Sequence, residues 1–219
     1  MEIIADLKND KQLMSHIKAL AQKENTPVHS TLSLFLDTAT HYTGYAIYEA
    51  VSGGKVAALR GYGLFKGGGG EWPERCLEIT SKVSNIIRTV KPGLCVMEYP
   101  TFQAGSRGMA AARSGGTLEL AYLCGRISVA WETYITKVLA DTGIGMRLSY
   151  LIPFTQWNGQ LTKEITCHRC EQHFGLKIEN AHSIENNFVD AIMLGKWFLE
   201  DQGMMLVNKG AKDAERIDF

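Results

Sequence analysis

Two short apolar runs, each closed by a carboxylate, constrain this chain more than any other feature. Leu34-Phe35-Leu36 ends at Asp37, and Leu94-Cys95-Val96-Met97 ends at Glu98. Continuous apolar runs of this length read as strands buried on both faces. A third acid, Asp190, sits inside the helical pattern Asn186-Asn187-Phe188-Val189-Asp190-Ala191. Carboxylates are costly to bury unless they are paired or bound to a cation. Oxygen-only clusters of this kind suit magnesium or manganese. Any fold for this chain must therefore hold acids at strand ends beside a helix.

The pattern between these acids sets the order of elements. Residues 32–37 form the first strand. Residues 43–50 alternate, Ser52-Gly53-Gly54 is a turn signal, and 56–64 follow as a third strand. Pro73 stands where the first turn of a helix belongs, and Ile79, Val83, Ile86, Ile87 and Val90 form its apolar stripe. Lys91-Pro92-Gly93 stops that helix before the strand at 94–98. A long helix follows over about 117–140, then a strand at 146–152, a helix over about 162–174, and a last helix from Ser183 as N-cap. The resulting order is β-β-β-α-β-α-β-α-α. It predicts an α/β fold with a mixed five-stranded sheet, three antiparallel strands then parallel βα units, flanked by helices. An N-terminal helical extension (1–28), carrying Leu13, Ile17, Leu20 and Ala21 on one face, precedes the domain at 29–201, and 202–219 reads as a C-terminal tail.

Composition narrows the class. The 219 residues are 45% hydrophobic and 21% charged, ordinary for a globular protein. No apolar run approaches the ~20 residues needed to span a membrane, and the N-terminus lacks a secretory signal pattern. The five scattered cysteines read as reduced thiols of a cytoplasmic protein. A net charge of zero argues against a basic nucleic-acid coat. The basic residues are nevertheless unevenly placed. Lys55, Arg60 and Lys66 share one acid-free window, and Arg107 and Arg113 share another. Local basic patches suit phosphate contacts, although short acid-free windows also arise by chance.

Asn187 and Asp190, three apart, share a helical face. An Asp-Glu-Asp cluster in a mixed sheet fits two-metal phosphoryl transfer, in which two ions clamp the attacking and leaving oxygens. Taken singly, each acid has an ordinary reading: a turn cap for Asp37, a strand-end charge for Glu98, a salt-bridge partner for Asp190. Gly67–Gly70 lacks the Gly-Lys-Ser/Thr ending of a phosphate loop and reads as a linker or flap. Cys167-His168-Arg169-Cys170 with His173 lacks the second ligand pair that a structural zinc requires.

Four segments resemble one family in order. Leu36-Asp37-Thr38-Ala39-Thr40-His41-Tyr42-Thr43-Gly44-Tyr45 is similar to the first strand and turn of the phage-type RuvC-like Holliday junction resolvases, which have the RNase H-like fold. Val96-Met97-Glu98 resembles their second acidic strand. Gln156-Trp157-Asn158-Gly159-Gln160-Leu161-Thr162-Lys163-Glu164 resembles their lysine-bearing segment. His182-Ser183-Ile184-Glu185-Asn186-Asn187-Phe188-Val189-Asp190-Ala191 resembles their last acidic helix.

The resemblance covers about residues 31–200 and implies roles. Asp37 bridges two metal ions, Glu98 holds one, and Asp190 holds the other. Lys163 stabilises charge at the scissile phosphate, although a lysine in a first helical turn is commonly just solvated. Phe102 stacks on a base at the open junction or is simply core. Independently of the resemblance, Arg107 and Arg113 of the acid-free window and His168 and Arg169 on the helix that begins near Lys163 are expected to meet the DNA phosphates. The implied activity is magnesium-dependent cleavage of four-way or branched DNA, with manganese also supporting it, by a two-fold homodimer. The helix at 117–140, with Trp131 and Tyr134, is the expected interface. A virus-encoded origin fits the phage-type segment. One position departs: Asn187 stands where the family carries Asp or His. As a metal ligand it offers only a neutral carbonyl oxygen, so Asn187→Asp is expected to raise activity. Two alternatives stay open: a junction-binding protein with impaired catalysis, and a nuclease of this fold acting on flaps or RNA–DNA hybrids.

Overall fold

The computed structural model describes residues 32–51, 55–100, 115–142, 148–159, 161–183, 186–206 and 214–219. The expected N-terminal helix, the Ser52-Gly53-Gly54 turn, Phe102, Arg107 and Arg113 lie outside them. Strands β1 (Leu32–Asp37), β2 (Tyr42–Val51) and β3 (Val56–Lys66) form the antiparallel meander. Helix α1 (Trp72–Val90) leads to β4 (Leu94–Tyr99), which lies parallel to β1. Helix α2 (Gly116–Thr142) leads to β5 (Leu148–Pro153), parallel to β4. Then come α3 (Phe154–Trp157), α4 (Lys163–Phe174), α5 (Asn187–Asp201), β6 (Met205–Leu206) and β7 (Glu215–Arg216). The central order is β5-β4-β1-β2-β3-β6, and β7 also pairs with β3.

The expected α/β class and mixed sheet hold, and the count of five strands does not. Residues of the segment read as a tail, 202–219, supply two more strands, both parallel to β3. The physical reason lies in β3, whose outer edge would otherwise leave backbone N–H and C=O groups unpaired. Ile217 N–H donates to the Tyr62 carbonyl, Phe219 N–H to the Leu64 carbonyl, and Lys66 N–H to the Phe219 carbonyl. Gly63 permits this approach, because a Cβ there would lie 1.9 Å from the Ile217 oxygen. Two-residue strands carry no readable alternation, so the sequence pattern missed them. The last helix also begins later than expected. Asn186, not Ser183, is its N-cap, and Ser183 instead accepts the Asn186 N–H through its carbonyl.

The strands divide their side chains between two cores by the period of two. Leu34 and Leu36 of β1, Cys95 and Met97 of β4, and Tyr45 and Ile47 of β2 face α1 and α2, where Ile79, Val83, Leu123 and Ile127 meet them. Phe35, Val96, Ala46 and Tyr48 face the other way, onto α4 and α5. Trp131 and Tyr134 belong to the first of these cores, at 2% and 9% exposure. They are therefore not available as a dimer interface. An apolar residue on a long helix packs on its own domain first, and the spacing alone did not tell the inner stripe from the outer one. No helix among the described residues is long and apolar enough to cross a membrane.

Candidate active site

The alternation that sorts the core also aims the acids. Asp37 is two residues beyond Phe35, and Glu98 two beyond Val96, so both leave the sheet on the α5 side. Leu36 pairs in register with Met97, which puts the two acids at the same end of neighbouring parallel strands. Asp190, in the first turn of α5, comes to them from above. Lys163, the first residue of α4, completes the group: its ammonium pairs with Asp190 Oδ2 and lies 3.4 Å from the Asn186 carbonyl. The four residues are thus brought together from β1, β4, α4 and α5.

Like charges in a buried setting leave a clear electrostatic mark. Asp37 is 9% exposed, and its carboxyl is held well above the usual carboxylate range, first by burial, then by Glu98 and Asp190. Burial pushes Glu98 up to about 7; Asp190 adds to this, while the indole of Trp157 and Lys163 oppose it. Asp190 is also raised, because burial outweighs the neighbouring Lys163 ammonium. Groups whose charged forms are this disfavoured call for a cation.

Polar ties set the acids' positions. Trp157 Nε1 donates to Glu98 Oε2 at 2.9 Å, and Thr38 Oγ1 donates to the Glu98 carbonyl at 2.8 Å, joining β1 to β4. Thr43 Oγ1 donates to the Ala39 carbonyl at 2.7 Å and accepts from the Ala39 N–H at 3.2 Å, closing the turn after Asp37. Trp157 and Thr38 were not singled out as site residues in the sequence. Trp157 lies 59 residues from Glu98, and only β4–β5 pairing makes them neighbours.

The remaining candidates fall elsewhere. Asn187 is on the same helix as Asp190, but its Nδ2 donates to the Tyr42 carbonyl on β2 at 2.7 Å. His168 and Arg169 are exposed, away from the buried stripe of α4 formed by Thr166, Cys167, Cys170 and Phe174, so they do not join the carboxylates. Both Cys167 and Cys170 are buried in the core on that stripe.

An all-oxygen donor set fits a hard divalent ion. Asp190 Oδ1 is buried with no hydrogen-bond partner among the described residues, the kind of atom a cation satisfies. As placed, however, no three His, Cys, Asp or Glu side chains among the described residues close round one ion. Lys163 neutralises Asp190 instead.

No protein-family model matches the sequence, and no curated protein matches it either. Solved structures do. RuvC of Thermus thermophilus superposes with a TM-score of 0.51 at 15% identity, over 78% of this chain and 97% of RuvC. The same protein in complex with its Holliday junction substrate gives 0.51 at 14%, over 79% and 97%. The yeast mitochondrial Holliday junction resolvase Ydc2 gives 0.51 at 12%, over 92% and 95%. This chain has the RuvC-like resolvase fold. Identity this low speaks for the fold, and the chemistry of this chain rests on its own residues. Fold and function are separable in general.

Proposed function

We propose that this chain is a structure-selective DNA endonuclease that resolves four-way junctions with the help of magnesium, manganese also serving. The observation that carries the reading is the convergence of Asp37, Glu98, Asp190 and Lys163 on one side of one sheet end. Asp37, Glu98 and Asp190 would hold the metal. When bound, divalent ions supply charge stabilisation at the attacking and leaving oxygens of an in-line displacement. Lys163 carries the only ammonium among the described residues that pairs with these acids, which suits it to developing phosphate charge. Trp157 holds one oxygen of Glu98, limiting the orientations its carboxylate can take. Water adds to phosphorus and the 3′ oxygen leaves, giving 5′-phosphate and 3′-hydroxyl ends.

Cutting a four-way junction on two strands suits a two-fold homodimer. We place its interface on the outer face of α2, where Leu118 (74% exposed), Tyr122 and Val129 (61% exposed) recur at i, i+4 and i+11. Val129→Glu is expected to leave a monomer by light scattering; an unchanged dimer refutes that placement.

The test of function is cleavage of a labelled synthetic four-way junction with magnesium or manganese, beside linear duplex, flap and RNA–DNA hybrid, with Asp37→Asn as the blank. Paired symmetric nicks in the junction alone support a resolvase. Cleavage confined to flap or hybrid supports the other nuclease reading. Tight junction binding without nicks favours a recognition protein with impaired catalysis.

A further inference from the structure

We infer that Asn187 is a positioning residue for Asp190: its side-chain amide fastens the first turn of α5 to β2, a task that aspartate cannot perform. The inference rests on the proposed metal site only for what Asp190 does afterwards. Helix α5 begins without a side-chain cap hydrogen bond, so its entry is held by other means. Asn187 Nδ2 donates to the Tyr42 carbonyl at 2.7 Å. A carbonyl only accepts, so the group facing it must be a donor, and of Asn and Asp only the amide supplies one when the acid is ionised. On the neighbouring side, Asn186 donates through Nδ2 to the Asn180 carbonyl, and its own carbonyl faces Lys163 Nζ.

The backbone seam between α5 and β2 is equally close. A Cβ at Gly44 would stand 2.2 Å from the Asn187 oxygen and 2.7 Å from the Phe188 nitrogen. Strand β2 thus admits the start of α5 only because position 44 has no side chain, and the Asn187 amide locks that approach. Asp190 follows one turn later, with Oδ2 on Lys163 and Oδ1 buried and bare among the described residues. Its placement over Asp37 and Glu98 depends on where the helix starts. An aspartate at 187 would set a carboxylate against the Tyr42 carbonyl, with no donor for it. Asn187→Asp is therefore expected to lower activity, the reverse of the expectation drawn from the family pattern.

The experiment compares Asn187→Ala and Asn187→Asp with the wild-type chain. In EDTA, both variants should melt lower, by roughly 2–4 °C for each kcal/mol lost in a domain of this size. Amide exchange over 186–190 should quicken while α1 amides keep their protection. With magnesium, junction KM should stay constant while kcat falls about tenfold, as expected for one lost positioning bond. If Asn187 acts instead as a metal ligand, metal-free melting and exchange stay unchanged, and calorimetric magnesium affinity rises in Asn187→Asp; that result overturns the inference. A wild-type chain that binds no magnesium would sink the proposed function, while the metal-free melting and exchange still decide the role of Asn187.

Discussion

The two faces of the sheet are made from the same strands and each buries an apolar core, yet only one of them carries acids. Toward α1 and α2, the strands send Leu34, Leu36, Ile47, Cys95 and Met97 into an apolar core with Ile79, Val83 and Ile127. Toward α4 and α5, the residues two steps on from Phe35 and Val96 are Asp37 and Glu98, opposite Asp190 and Lys163. The first face is an apolar core with a few internal hydrogen bonds, such as that from the Tyr45 hydroxyl to the Ile217 carbonyl. The second buries an apolar core of its own, from Phe35 and Val96 to Ile192 and Phe198, and adds at one end acids that burial disfavours, positioned by a few polar ties. Both faces thus supply apolar burial and only the second adds the candidate chemistry, and the division falls between adjacent residues of one strand, Leu36 and Asp37.

The sharpest way to break this division is Asp37→Asn. Junction cleavage is expected to fall by about 10²–10³-fold, as when one charge-stabilising group is lost from an active site. The metal-free melting temperature should rise at neutral pH, because a buried, repelled charge disappears. A variant that cuts at the wild-type rate would remove Asp37 from the chemistry. On the other face, Ile127→Ala should cost about 2–5 kcal/mol in urea unfolding through the cavity it leaves. Cleavage per folded molecule should not change, and a selective loss of cleavage would mean that the faces are not independent.

The pH dependence sharpens the same contrast. The Glu98 carboxyl ordinarily titrates at 4.5 and is pushed up to about 7 in the folded chain. Between these values the native state holds more protons than the unfolded one, so metal-free stability falls as pH rises through that window. Asp37 and Asp190 are shifted the same way and add to the fall. Magnesium should flatten or reverse the trend, and denaturant titrations at several pH values with and without the metal check it. The smallest effect is expected for Trp157→Phe, which removes the bond to Glu98 Oε2. A loss of roughly 1.5–3 kcal/mol or less is the scale for a bond to a charged group. Weaker magnesium binding by calorimetry, with the overall fold intact, is the expected signature.

Much of this architecture was legible in the chain. Apolar runs ended by acids marked β1 and β4, and the stripe from Ile79 to Val90 marked α1 within a residue or two. Strands β6 and β7 were not legible, since two residues carry no period and their partner β3 is far away in sequence. From the sequence Trp131 reads as part of the interface, because a helix with apolar residues on several sides does not reveal which side its own domain takes. Asn187 reads from the sequence as a weak ligand, because the carbonyl it meets, on Tyr42, lies 145 residues earlier.

By itself the sequence determined which residues could carry charge into a buried place, at the ends of two apolar runs and inside a helical pattern. These are local properties of covalent geometry and burial. The tertiary structure decided what those charges meet. Parallel pairing of β1 with β4 set the acids side by side, and the entry of α5 against β2 at Gly44 set Asp190 above them. Lys163, Trp157 and the Tyr42 carbonyl became partners only through that packing. Contacts between distant segments depend on how whole elements pack, and no spacing along the chain encodes them.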